Sequence, residues 1–184
     1  MKIKFYIATA LVAGVLAACN GQGKKTEAHD QSSHEGHDHE AEAAQASTAN
    51  PILNNEALNN VYAHYIHLKN NLVASNEAEA KTAAQAVKTA LDAVKDAEAT
   101  KAAEASASAA DLKTLRASFD GLTKQVERLI KKTGVKSGEI YVEFCPMANN
   151  DKGGYWLSNN KEIQNPYYGD QMMKCGSVKE TLKQ

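Results

Sequence analysis

The sequence predicts a mainly α protein: an antiparallel three- or four-helix bundle with a small irregular or β C-terminal module rich in cysteine and methionine. Apolar residues from Leu58 to Leu129 recur at spacings of three and four, the period of helices with one buried face. Beyond Gly138 the period drops to two, and six of the eleven aromatic residues crowd between Tyr141 and Tyr168. With 184 residues, 43% hydrophobic and 23% charged, the chain has room for one core but not for two domains around a catalytic cleft. A net charge of −1 provides no broad cationic field for nucleic acid. After the N-terminal apolar run no second one follows, which excludes a multi-span transporter.

Residues 1–18 read as a lipoprotein signal peptide. Lys2 and Lys4 form its positive start, and Phe5 to Leu16 form an apolar run too short for a permanent span. The run ends in Leu16-Ala17-Ala18-Cys19, which resembles the bacterial lipobox and implies that the Cys19 thiol is lipidated. The expected location is the bacterial cell envelope, facing the periplasm or the outside. Attachment would be through the lipid alone, in an oxidising compartment.

Residues 19–50 have almost no bulky apolar side chain and read as a flexible tether that burial cannot order. Within it His29, His34, His37 and His39 stand among carboxylates, a composition that chelates divalent metals loosely.

Residues 51–184 form the folded domain in this reading. A first helix carries Leu58, Val61, Tyr62, Tyr65, Leu68 and Leu72 on one stripe. A second opens at Asn76, with Glu79 placed to complete a capping box, and aligns Ala80, Ala84, Val87, Leu91 and Val94. Ala97 to Ala110 holds no bulky apolar residue and leaves the helix count open between three and four. A further helix runs through Leu112, Leu115, Phe119, Leu122, Val126 and Leu129 and stops near Gly134. On the first helix, His67 falls opposite the stripe and His64 flanks it. Two imidazoles three apart can share a metal, although such residues are more often plain surface positions.

The module spans residues 139–176. Ile140, Val142 and Phe144 alternate with Tyr141 and Glu143 as a short strand, a turn follows at Gly153-Gly154, and Ser177 with Glu180 reads as the cap of a terminal helical turn. Outside the signal and lipobox, all the sulfur sits here: Cys145, Met147, Met172, Met173 and Cys175. Thiolate and thioether are the soft donors that select Cu(I). On an extended chain Cys145 and Met147 share a face. Met172 and Cys175 share one in a helical turn, with Met173 pointing elsewhere, so Met172 is preferred as a ligand. Equally, two cysteines in an exported protein commonly pair, and a Cys145–Cys175 disulfide would leave the methionines as packing. The two states can also alternate. Trp156 reads as a core or platform residue, a ring able to cap a bound cation.

Gly138 to Ala148, Tyr155-Trp156-Leu157-Ser158, Glu162-Ile163, Asn165-Pro166-Tyr167-Tyr168-Gly169 and Met172 to Gly176 together resemble the signature of one family. It is the bacterial domain of unknown function 3347, common in lipoproteins of the Bacteroidetes and seen at the ends of adaptor subunits of heavy-metal efflux pumps. Tyr65, Leu68, Lys69 and Leu72 fit it as well, so the resemblance covers about residues 55–184. It implies a role with copper or related metals, carried by Cys145, Met147, Met172 and Cys175, with Trp156, Tyr167 and Tyr168 as their surroundings.

Catalysis finds no support, since the chain has no Gly-x-Ser-x-Gly elbow, phosphate loop, His-Glu-x-x-His helix or Cys-x-x-Cys pair. Two functions remain. One is a membrane-tethered metal-binding protein that sequesters Cu(I) or passes it to an efflux adaptor, a role in heavy-metal resistance. The other is a disulfide-stapled helical envelope lipoprotein that docks a partner protein through Tyr155, Trp156, Tyr167 and Tyr168.

Overall fold

The computed structural model describes residues 50–184. The signal peptide, Cys19 and the tether histidines His29, His34, His37 and His39 lie outside the described residues.

Four helices form the bundle, each started by a side chain that satisfies an otherwise orphaned amide. Asn55 accepts from the Leu58 N–H at 3.1 Å and opens α1, Glu56–Val73, which buries Leu58, Val61, Tyr62, Tyr65, Leu68 and Leu72. Asn76 accepts from Glu79 N–H at 3.3 Å and opens α2, Glu77–Val94. Its buried face is mostly alanine, namely Ala80, Ala83, Ala84 and Ala90 around Val87 and Leu91, so α1 can approach closely. Asp96 caps α3, Ala97–Ala107, accepting from Ala99 N–H at 3.0 Å. The alanine-rich stretch is therefore a helix, and the bundle has four. Asp111 and Thr114 form a reciprocal capping box at the start of α4, Leu112–Thr133. Gly134, at φ +84°, ends that helix. Each helix packs on the next through a short connection, and α4 returns to α1, the adjacency of an up-and-down bundle.

Five strands follow or frame the helices. β1, Ile52–Leu53, pairs antiparallel with β2, Val135–Ser137, and ties the start of the domain to the end of α4. β3, Ile140–Cys145, is central in an antiparallel sheet between β4, Gly154–Ser158, and β5, Ser177–Leu182. Its register sets Cys145 opposite Gly154 and Glu143 opposite Trp156 on β4, and Ile140 opposite Leu182 on β5, with a bulge between Val142 and Glu143 on the β5 side. β5 corrects the expected terminal helical turn. Ser177 and Glu180 do carry the cap pattern, but the segment lies along the free edge of β3, and ladder hydrogen bonds there outweigh one turn of helix.

The outer edge of β4 is covered by the bundle. Tyr155 N–H donates to Asp120 Oδ1 at 2.9 Å, and Leu157 N–H donates to the Tyr65 hydroxyl at 3.0 Å. Side chains of α4 and α1 thus take the place of a further strand. Tyr65, Phe119 and Trp156 are among the largest fully buried side chains of the core, and Tyr65 stacks on Phe119 at 5.2 Å.

Candidate functional site

The first half of the site is where β3 ends. Cys145 is buried on the last residue of the strand. Pro146 and Met147 leave it, and Met147 adopts φ −84°, ψ −11°, with 45% of its surface exposed. The extended arrangement expected to align Cys145 with Met147 therefore does not form, because the chain turns immediately after the cysteine. Asn149, Asn150 and Asp151 follow at φ 54°, 57° and 62°. Asn and Asp are the non-glycine residues that bear this left-handed region best. The loop closes on itself through Gly153 N–H to Ala148 O at 2.9 Å and Asn149 Nδ2 to Gly153 O at 3.1 Å. It returns at Gly154, where a side chain would strike the Tyr167 ring.

The second half is organised by one buried amide. Asn165 Oδ1 accepts from the N–H groups of Tyr167 at 2.8 Å and Tyr168 at 3.3 Å, while its Nδ2 donates to Cys175 O at 2.8 Å. Its own N–H donates to Met173 O at 2.9 Å, and Cys175 N–H closes a turn on Met172 O at 3.0 Å. Arg116 of α4 anchors the whole to the bundle. Its Nε donates to Pro166 O at 2.8 Å, and its Nη2 to Leu72 O at 2.7 Å and to Ser75 Oγ at 2.9 Å. Gly169, at φ +56°, passes so near the α1–α2 turn that a Cβ would meet Ser75 Oγ at 2.6 Å and Val73 O at 2.8 Å. The Tyr168 hydroxyl donates to Met147 O and joins the two halves.

The result is that Cys145 and Cys175 meet. They form a disulfide with a Cα–Cα distance of 5.7 Å across a sequence separation of 30. Met172 belongs to the Cys175 turn, and Met147 lies two residues past Cys145. Met172 and Met173 are both half-buried, and Met147 is exposed. As a donor set these side chains are two sulfurs able to become thiolates on reduction, with the Met147 and Met172 thioethers two and three residues away from them along the chain, and thiolate and thioether are soft donors.

Among the described residues no three His, Cys, Asp or Glu side chains converge as a metal group. His64 is half-buried and His67 exposed on α1, where Asn71 reaches the His67 ring at 3.4 Å and its carbonyl at 2.9 Å. Trp156 and Tyr167 are buried and meet edge to face at 6.1 Å, so neither offers a surface to a docking partner, while Tyr155 and Tyr168 are half-buried. Trp156 is a core residue against which Gly176 rests; a Cβ there would lie 2.7 Å from the indole.

Sequence reasoning missed the charge beneath this module. Glu143 is fully buried, and among the described residues neither its carboxylate oxygens nor Trp156 Nε1 has a hydrogen-bond partner. Burial pushes the Glu143 carboxyl up to about 8, against the opposing pull of the Lys69 charge and the Trp156 N–H. Lys69 is itself 3% exposed, and burial holds its ammonium below the usual range while Glu143 pulls it back up. One signal was available: Tyr65, Leu68, Lys69 and Leu72 follow the helical stripe, so the lysine occupies a core-facing slot.

The family model described as Protein of unknown function (DUF3347) matches residues 61–138, from within α1 to just past β2. No match is found among curated proteins or among solved structures. The matched segment is the helical region, whereas the motifs quoted for the resemblance lie mostly beyond it, in 138–176. Over residues 61–138 the chain is similar to the DUF3347 family.

Proposed function

We propose that this chain is a membrane-tethered extracytoplasmic metal-binding protein whose cargo is Cu(I), sequestered or handed to an efflux adaptor. The observation that carries the reading is the meeting of Cys145 and Cys175 from distant parts of the sequence, with Met172 in the turn of one and Met147 just past the other. The disulfide is the closed form. An external dithiol supplies two electrons and two protons, is itself oxidised to a disulfide, and leaves Cys145 and Cys175 as thiols. Binding of the cargo then displaces their protons, with Met147 and Met172 as neutral donors. Exposure of Met147 supports transfer by exchange of one sulfur at a time. The envelope address and lipid anchor rest on residues 1–19 of the sequence. No catalytic step is assigned.

The test is an anaerobic Cu(I) titration of the reduced full chain against a competing chelator. His29, His34, His37 and His39 are replaced by alanine so that loose binding does not enter. One tight equivalent, lost in the Cys145→Ser, Cys175→Ser double variant, is expected. An unchanged affinity in that variant would refute the sulfur assignment.

A second reading has the disulfide itself in its favour: an envelope interaction module in which the Cys145–Cys175 bond is a permanent staple. Thiol counting on protein taken directly from the envelope separates the two. A fully oxidised pair in copper-replete and copper-free cells alike favours the staple, and metal-protected thiols favour the site.

A further inference from the structure

Two adjoining surface cavities, of about 400 and about 500 Å³, share Ala117, Asn149 and Asn150 and together form one groove. One wall is the outer face of α4 from Leu112 to Lys124, about 18 Å at 1.5 Å per residue. The other is the left-handed loop after Met147, with Tyr168 at one end and Tyr155 at the other.

The floor is unusually bare. Ala117 and Gly121 are exposed one helical turn apart, and a Cβ built on Gly121 meets nothing within 4 Å. A glycine in the interior of a helix costs about 1 kcal/mol relative to alanine. Gly169 and Gly154 are explained by the close approach of neighbours, but no neighbour requires this one. What its missing side chain does provide is an open channel beside the helix.

The walls are cationic. Lys113, Arg116, Lys124 and Lys152 line the groove against one carboxylate, Asp120. Asp120 is already engaged by the Tyr155 N–H and by Lys124 at 2.6 Å. Lys113 and Lys152 form no ion pair among the described residues. The three bonds Arg116 makes to Pro166, Leu72 and Ser75 fix its guanidinium and leave Nη1 for a further acceptor.

We propose that this groove binds an extended acidic polypeptide segment of a partner protein. Cations spread along both walls match side-chain carboxylates, the bare floor admits a main chain, and the carboxamides of Asn149 and Asn150 can both donate to and accept from peptide groups. An anionic polysaccharide fits less well, because the rings are already engaged: Phe144 packs on Tyr155 at 4.6 Å, and the Tyr168 hydroxyl is held by Met147 O. The inference is independent of whether the sulfur site holds copper.

The experiment uses the full chain in detergent, oxidised, and a fluorescein-labelled peptide of alternating Glu and Ala, followed by fluorescence anisotropy at low ionic strength. Saturable binding is expected, weakened at least about tenfold by Gly121→Leu. The same loss is expected from the surface double variant Lys113→Glu, Lys152→Glu, which leaves the floor at Ala117 and Gly121 unaltered, and none from Lys101→Glu on the exposed side of α3. Binding that survives both the leucine and the double charge reversal, or that falls equally with Lys101→Glu, would overturn the proposal. So would a sulfated oligosaccharide that displaces the peptide at a far lower concentration and loses binding in the same variants, since that assigns the groove to a polysaccharide.

Discussion

The Tyr65 hydroxyl accepts the Leu157 N–H at 3.0 Å and lies 2.7 Å from Thr123 Oγ1, so one buried oxygen joins the first helix, the last helix and the outer strand of the sheet. The burial that permits this also pushes the Tyr65 phenol well above its ordinary range, more than its two hydrogen bonds pull it down. Tyr65→Phe keeps the ring against Phe119 but strands the Leu157 amide and the Thr123 hydroxyl in the core. The expected loss is about 1–3 kcal/mol in urea unfolding, the penalty for buried groups left unpaired. Adding Thr123→Val should recover part of it, since that removes one stranded group. A double variant whose loss is the full sum of the two single ones would show that the hydroxyls do not bond.

Asn165 serves the module as Tyr65 serves the sheet. Three of its four possible side-chain hydrogen bonds are made, to Tyr167 N–H, Tyr168 N–H and Cys175 O. Asn165→Ala should cost about 2–3 kcal/mol and speed amide hydrogen exchange at Tyr167 and Tyr168, while helical amides such as Val126 keep their relative protection. Uniform loss of protection throughout the chain would mean the residue supports only global stability.

Reducing the Cys145–Cys175 bond frees a loop whose ends are 30 residues apart. In the chain-entropy model that lowers stability by about 3–4 kcal/mol. The loop joins β3 to β5 and includes β4, so its loosening should appear in the sheet before the helices. Urea unfolding with and without a dithiol checks the size of the effect. Coincident midpoints would mean that the two sulfurs are not bonded in solution.

The helices were legible because their information is local. Asn76 announces one start, and the apolar stripes repeat over several turns. α3 was not, since its buried face is Ala99, Ala103 and Ser106, which have helix-compatible size but no amphipathic contrast. The sheet was half legible. Alternation marks β3, but a strand covered on both faces gives its polar slot no exit, and nothing near Glu143 in the sequence says so. β5 depends wholly on a partner some forty residues earlier, and its own letters favour a helical cap. At the site, the cysteines advertised a pairing while the amide that positions them, Asn165, looked like an ordinary turn residue before proline.

The buried carboxyl of Glu143 makes the stability of the disulfide form depend on pH in an uncommon direction. Its folded value of about 8 exceeds the ordinary 4.5, so between those values the native state holds a proton that the unfolded chain has released. Stability therefore falls as pH rises through that window, by at most about 1.4 kcal/mol per pH unit from this group, and levels off above it. Lys69 acts oppositely and later: its lowered value means the unfolded chain binds the extra proton on the alkaline side, below 10.5. Glu143→Gln fills the same space and cannot ionise, so it should match the parent near the acid end and exceed it in the mildly alkaline range. Urea midpoints of both proteins at about pH 5 and about pH 8 decide it. A parent that is no less stable at the higher pH, with a glutamine variant of the same slope, would mean that the carboxylate ionises without penalty because Lys69 meets it directly in solution.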